Sequence, residues 1–177
     1  MSAEQVGKLF PIKLVEYNTQ WAEIFEAEKD KIVKTVGGDI YAIHHIGSTA
    51  IKGLKAKPTI DILLEIKANV DLEQFKKLLE KIGYDFSPQP TKPPPHMTFY
   101  KGYTAQGFAG QVFHLHIRYK GDWDEIIFRD YLRNNEQARQ EYADLKIRLQ
   151  QQYEFNRESY TDAKTDFVKE IVKRGVV

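Results

Sequence analysis

Residues 59 to 66, Thr-Ile-Asp-Ile-Leu-Leu-Glu-Ile, alternate strictly enough to read as a strand with two unlike faces. Ile60, Ile62, Leu64 and Ile66 share one face and Thr59, Asp61, Leu63 and Glu65 the other. A second stretch, 111 to 119, alternates in the same way, with Val112, His114, His116 and Arg118 opposite Phe113, Leu115, Ile117 and Tyr119. Each strand needs an apolar layer against one side only. That requirement favours a sheet with helices packed on it, and it leaves a polar face on which chemistry can be mounted.

The covering layers are also visible. A helix is predicted from Thr19, with Asn18 or Thr19 as cap, an apolar stripe at Trp21, Ile24, Phe25, Ile32 and Val36, and Gly37-Gly38 as its stop. Asp71 and Gln74 resemble a capping box ahead of Leu72, Phe75, Leu78, Leu79 and Ile82. Residues 41 to 47 and 97 to 103 read as further strands. Residues 1 to 18 form an arm ending in extended Ile12-Val15, 88 to 96 a proline loop, and 102 to 110 a mobile connection. Three helices are expected at the C-terminal end: one capped by Asp122, one marked by Ala138, Tyr142, Leu145, Leu149 and Tyr153, and one starting near Thr161 or Asp162. Strands gathered in the middle and helices behind them indicate an α+β chain. At 177 residues it has the size of a single domain, with a sheet-bearing part over about 10–120 and helices over about 122–174.

A net charge of +1 supplies no global basic field for nonspecific nucleic-acid binding, so nucleic acid is not an expected partner and any anion site must be local. The absence of cysteine excludes disulfides, thiolate metal sites and cysteine nucleophiles. Residues 1 to 10 resemble no signal peptide, and no apolar run approaches about 18 residues. A soluble cytoplasmic protein without a membrane partner is the expectation.

Local anion chemistry is suggested where the strand 41–47 ends in Gly47-Ser48-Thr49. Glycine lets backbone N–H groups approach a phosphate, serine adds a hydroxyl, and Lys52, Lys55 and Lys57 follow. By itself a Gly-Ser pair is more often an ordinary turn. Asp61 is harder to dismiss, because a carboxylate between apolar rows costs several kcal/mol to bury unless it is paired or binds metal. Glu65 lies four residues farther along the strand, about 13 Å away, and cannot share an ion with it. His114 and His116 stand two apart on one face, close enough to converge on one ion or phosphate, and Arg118 continues their row. His45 is placed on the face of Gly47, whereas His44 points away and His96 reads as exposed. Arg129, Arg133, Lys146 and Lys164 read as solvated helix charge, although Lys164 falls in the first turn of the last expected helix, where a cation opposes the helix dipole and could serve a ligand.

Taken in order, His44-His45-Ile46-Gly47-Ser48-Thr49-Ala50, Gly53-Leu54-Lys55-Ala56-Lys57-Pro58, Ile60-Asp61-Ile62, His114-Leu115-His116-Ile117, Phe128 to Arg133, Tyr142 to Lys146 and Tyr160 to Lys164 resemble the GrpB family over roughly residues 10 to 175. Many sequences of this kind carry proline where Lys52 stands, a departure that bears on the rigidity of the loop. The resemblance implies a fold similar to the nucleotidyltransferase superfamily. In that fold a Gly-Ser pair holds triphosphate, and carboxylates hold a divalent metal that bridges the phosphates and activates the attacking oxygen. Some members are fused to dephospho-CoA kinase, which implies a link to nucleotide or coenzyme A metabolism. Those palms carry Asp-x-Asp on the strand of Asp61, whereas here the same-face neighbours are Thr59 and Leu63.

Three functions therefore compete. One is metal-dependent transfer of a nucleotidyl group, with Gly47, Ser48, Thr49, Lys55, Lys57 and Arg118 on phosphate, Asp61 on Mg2+, and His114 and His116 steadying charge. A second is a non-catalytic nucleotide or phosphate-ligand module with a degenerate metal site. The third is a transition-metal centre built from His114, His116 and Asp61 or His45.

Overall fold

The computed structural model describes residues 1–177 and contains seven helices and five strands. In chain order these are α1 (Ala3–Leu9), α2 (Gln20–Val36), β1 (Ile40–Ile46), β2 (Thr59–Ile66), α3 (Leu72–Lys81), β3 (Asp85–Pro88), β4 (Met97–Thr104), β5 (Gly107–Tyr119), α4 (Asp124–Asn134), α5 (Glu136–Tyr153), α6 (Arg157–Ala163) and α7 (Thr165–Gly175). No helix is long and apolar enough to cross a membrane.

The strands form one mixed sheet in the order β1-β2-β5-β4-β3, in which only β2 and β5 run parallel. Joining two parallel neighbours requires a long crossover, and α3, β3 and β4 supply it. The expected faces are found: Ile60, Ile62, Leu64 and Ile66 of β2 and Phe113, Leu115 and Ile117 of β5 are buried together with Trp21, Phe25, Ile32 and Val36 of α2 and Phe75 and Leu79 of α3. A second apolar cluster joins Ile51 and Leu54 to α4, α5 and α7 through Phe128, Leu132, Ala138, Tyr142 and Ile171. The polar face of β2 and β5 is left facing a cavity that α5 and α6 help to wall.

Several boundaries differ from the sequence reading. The first residues hold a short helix, because Ser2 Oγ accepts from Gln5 N–H while the Gln5 side chain accepts from Ser2 N–H, a capping box that the arm assignment missed. The connection 102–110 is a β-hairpin, with Tyr103 paired to Phe108 and Thr104 to Gly107. Residues 85–88 pair with β4 as an edge strand, where Pro88 is tolerated, and the proline loop begins only after them. Both residues offered as the cap of α2 take part, Thr19 at the N-cap position and Asn18 as side-chain acceptor from Gln20 N–H at 2.9 Å. No side chain caps α4, which follows Trp123 rather than Asp122. The last expected helix is two, because Asn156 caps α6 upstream and the chain restarts at Thr165.

Candidate functional site

The parallel pairing of β2 with β5 sets Asp61 beside His114 and Leu63 beside His116, and β4 continues these rows with Tyr100 and Thr98. Side chains of paired residues stand on the same face of a sheet, so Asp61, His114, His116 and Tyr100 converge on one face across β2, β5 and β4. His114 Nδ1 lies 3.3 Å and His116 Nε2 3.6 Å from Asp61 Oδ1. Burial alone would raise the Asp61 pKa, but hydrogen bonds and charge from the two imidazoles outweigh it and hold the carboxyl well below the usual carboxylate range. Burial lowers the pKa of His114, against the opposing pull of Asp61. Arg157 Nη2 donates to the Tyr103 hydroxyl at 3.1 Å, and that hydroxyl lies 2.7 Å from His114 Nε2, so the imidazole is held at both nitrogens.

The Gly-Ser turn reaches the same cavity. Gly47 adopts φ +72°, and a Cβ there would stand 2.7 Å from Asp61 Oδ2, so glycine is required both by the backbone and by the carboxylate beside it. The turn is braced from within by the Thr49 hydroxyl, which donates to Thr59 O at 3.0 Å and lies 3.0 Å from His45 Nε2. From outside, Arg129 donates to His45 O and Arg133 twice to Ala50 O. Lys146 of α5, 2% exposed, donates to Ser48 Oγ at 3.0 Å and to Lys55 O.

Gly47, Ser48, Asp61, Tyr100, His114, His116 and Lys146 wall a cavity of about 360 Å³ that also admits Lys57, Lys92, Arg157, Lys164, Tyr142 and Tyr160. One carboxylate thus faces five cations, since Lys57, Lys92, Lys146, Lys164 and Arg157 all line it. Burial, together with repulsion from Lys164 and Arg157, pushes the Lys57 pKa down to about 7. Lys146 falls to about 7 through burial and repulsion from Lys164 and Lys57. Burial brings Lys164 down to about 8 although Asp61 pulls it up. A cluster that finds its own charge unfavourable gains most from an anion.

Of the sequence-predicted residues, Gly47, Ser48, Lys57, Asp61, His114 and His116 are brought together. Three are not. Lys55 points to Glu16 at 3.2 Å, and Thr49 is buried beneath the turn. Arg118 is buried against Trp123 and Glu125, because its position on β5 is opposite Glu65 rather than Asp61. His45 lies on the core face, stacked 4.7 Å from Phe25, since it pairs with Ile62; His44 instead reaches Glu65 at 2.9 Å. Lys146, Arg129 and Arg133 are not solvated charge, because each is spent on a backbone carbonyl of residues 45–55. Arg157 carried no sequence signal, and Tyr142 and Tyr160 were read only as helix and motif residues, whereas Lys164, at the N-cap of α7, had a signal in its unfavourable dipole position.

A family model described as GrpB protein matches residues 11–174. UPF0157 protein BH1888 of Halalkalibacterium halodurans is 36% identical over 177 residues, covering 96% of this chain and 87% of that one. UPF0157 protein YqkA of Bacillus subtilis is 34% identical over 170 residues, covering 93% of this chain but 48% of its own, so the chain spans about half the length of that relative. The crystal structure of GrpB from Enterococcus faecalis superimposes with a TM-score of 0.80 at 28% identity, over 93% of this chain and 97% of that one. A looser likeness, TM-score 0.45 and 15% identity over 75% of this chain and 46% of the other, is to the Bradyrhizobium diazoefficiens CD-NTase CdnG solved with GTP. With the family model matching nearly its whole length, the chain belongs to the GrpB family.

Proposed function

We propose that the protein binds the polyphosphate of a nucleotide in the cavity over Asp61. The observation that carries this reading is the charge balance: Lys57, Lys92, Lys146, Lys164 and Arg157 converge around a single carboxylate. Lys146 holds Ser48 Oγ so that the serine hydroxyl can present its proton to a phosphate oxygen, while Lys57, Lys164 and Arg157 supply charge-assisted donors.

A second reading, metal-dependent nucleotidyl transfer to an acceptor, is favoured by the spacing of Asp61, His114 and His116. Two ligands held about 2.1 Å from one tetrahedral ion stand about 3.4 Å apart, and the observed separations are 3.3 and 3.6 Å. One carboxylate with two imidazoles suits zinc, iron or manganese-type ions better than Mg2+, which prefers oxygen ligands. With His114 Nδ1 facing an ion, its Nε2–H would donate to Tyr103, a supporting contact of the kind metal-bound histidines make. A bound ion would polarise a phosphoryl oxygen there and lower the pKa of an attacking hydroxyl.

Isothermal titration with ATP, on wild type and Lys57→Ala, each before and after treatment with chelator, tests both readings. Wild type is expected to bind and Lys57→Ala at least about tenfold more weakly, a loss of roughly 1.4 kcal/mol. A flat wild-type titration overturns the first reading. Binding that is unchanged by chelator, with no pyrophosphate released, overturns the second.

A further inference from the structure

We propose that the cleft between the N-terminal arm and the β4–β5 hairpin receives the nucleoside half of the nucleotide, with its base stacked on Phe108. This rests on the reading that the Asp61 cavity holds the phosphates.

The cleft encloses about 620 Å³ and shares Lys57, Thr59 and Arg157 with the phosphate cavity, so the two lie side by side at those residues. The tyrosine rings of the phosphate cavity are already in contact with its other side chains. Tyr160 faces Lys164 at 4.4 Å and Lys57 at 5.4 Å, Tyr142 faces Lys146 at 4.9 Å, and Tyr100 meets the His114 ring edge-on at 4.9 Å. A base entering there would have to displace cations from aromatic faces, at the cost of the contacts they make. The neighbouring cleft adds apolar wall to its cations, because Leu9, Pro11, Val15, Pro58 and Phe108 stand among Lys8, Lys13, Lys57 and Arg157.

Phe108 is fixed yet available. Its ring is held edge-on by Phe10 at 5.1 Å, tilted against Tyr103 at 5.5 Å and approached by the Arg157 guanidinium at 5.9 Å, while 46% of the residue stays exposed. A rigid, half-open aromatic ring is a stacking platform whose conformational entropy has already been spent. Gln111 uses its amide nitrogen on Pro58 O and Val112 O, at 2.7 and 3.0 Å, which leaves its side-chain oxygen to accept from an exocyclic amine. No carboxylate lines this cleft, and Lys13 in its wall has no acidic partner, so an anionic ligand meets the same sign of charge along its length. The ligand class is a purine or pyrimidine nucleotide lying across both spaces, with Lys57 and Arg157 at the junction between phosphates and sugar.

The test is isothermal titration with inorganic tripolyphosphate and with ATP, on wild type, Phe108→Ala and Phe108→Trp. Wild type is expected to prefer ATP by about fivefold or more, as one stacked base supplies. Phe108→Ala should lose that preference while keeping its tripolyphosphate affinity. Phe108→Trp should retain the preference, and the added tryptophan fluorescence should be quenched by ATP and not by tripolyphosphate. Equal wild-type affinities, an ATP affinity in Phe108→Ala within twofold of wild type, or an unquenched tryptophan each overturn the stacking site while leaving the phosphate cavity standing. Failure of both ligands to bind wild type removes the phosphate reading and this inference together.

Discussion

At the scale of single residues, Gly47 joins two requirements that usually occur apart: a left-handed backbone at φ +72° and an empty Cβ position facing Asp61. Alanine meets the first poorly and the second not at all, since its methyl group would stand 2.7 Å from Asp61 Oδ2. Gly47→Ala is therefore expected to lose about 2 kcal/mol of stability in urea unfolding and to displace the carboxylate from its histidines. A variant as stable as wild type would show that the turn can relax away from β2. His45 illustrates a different residue-level outcome. Burial pushes its pKa down to about 4, and its ring lies between Phe25 and Thr49, so it serves the turn from the core side and takes no part in the cavity.

At the scale of elements, the loop between β1 and β2 is shaped by two helices, α4 and α5, that follow the whole sheet in sequence. α4 clamps it through Arg129 and Arg133, and α5 holds Ser48 through Lys146. Arg133 gives two parallel donors to one carbonyl, Ala50 O, at 3.0 and 2.8 Å, a fork that lysine cannot reproduce. Removing it leaves that carbonyl short of donors, so Arg133→Ala is expected to cost about 1–2 kcal/mol and Arg133→Lys to recover less than half of it, as read from urea midpoints. Full recovery by lysine would mean that charge, not the fork, holds the turn. β-Strand patterning let the sheet be read from sequence because alternation over 59–66 and 111–119 has few other solutions. The short elements escaped: β3 spans only four residues, and α1 and α6 seven each, too few for a periodic signal to emerge.

At the scale of the whole molecule, the near-neutral net charge conceals a strongly polarised interior cavity. Lys57 and Lys146 near 7 and Lys164 near 8 are all depressed from their unfolded value of 10.5. Between these folded values and 10.5 the unfolded chain binds more protons than the native one, so these lysines make the ligand-free protein more stable as pH rises through that window. Anion binding has the opposite sign, because it needs the protonated amines. The affinity for tripolyphosphate is expected to fall at least about tenfold from pH 7 to pH 9, with proton uptake on binding visible in buffers of different ionisation enthalpy. An affinity independent of pH would show that these amines do not contact the anion.

The sequence by itself determined which residues could form two-faced strands, where glycine had to turn the chain, and that Asp61, His114 and His116 would stand on polar faces, because side-chain alternation is a local property of an extended backbone. Only the tertiary structure decided that β2 and β5 are neighbours, and hence that Asp61 meets His114 while Arg118 is carried off to Glu125. It also decided that Lys146, Lys164 and Arg157 line one cavity with the serine turn. Strand register and helix docking are fixed by burying apolar surface far along the chain, and no spacing within a segment encodes which distant cation that burial brings to a cavity.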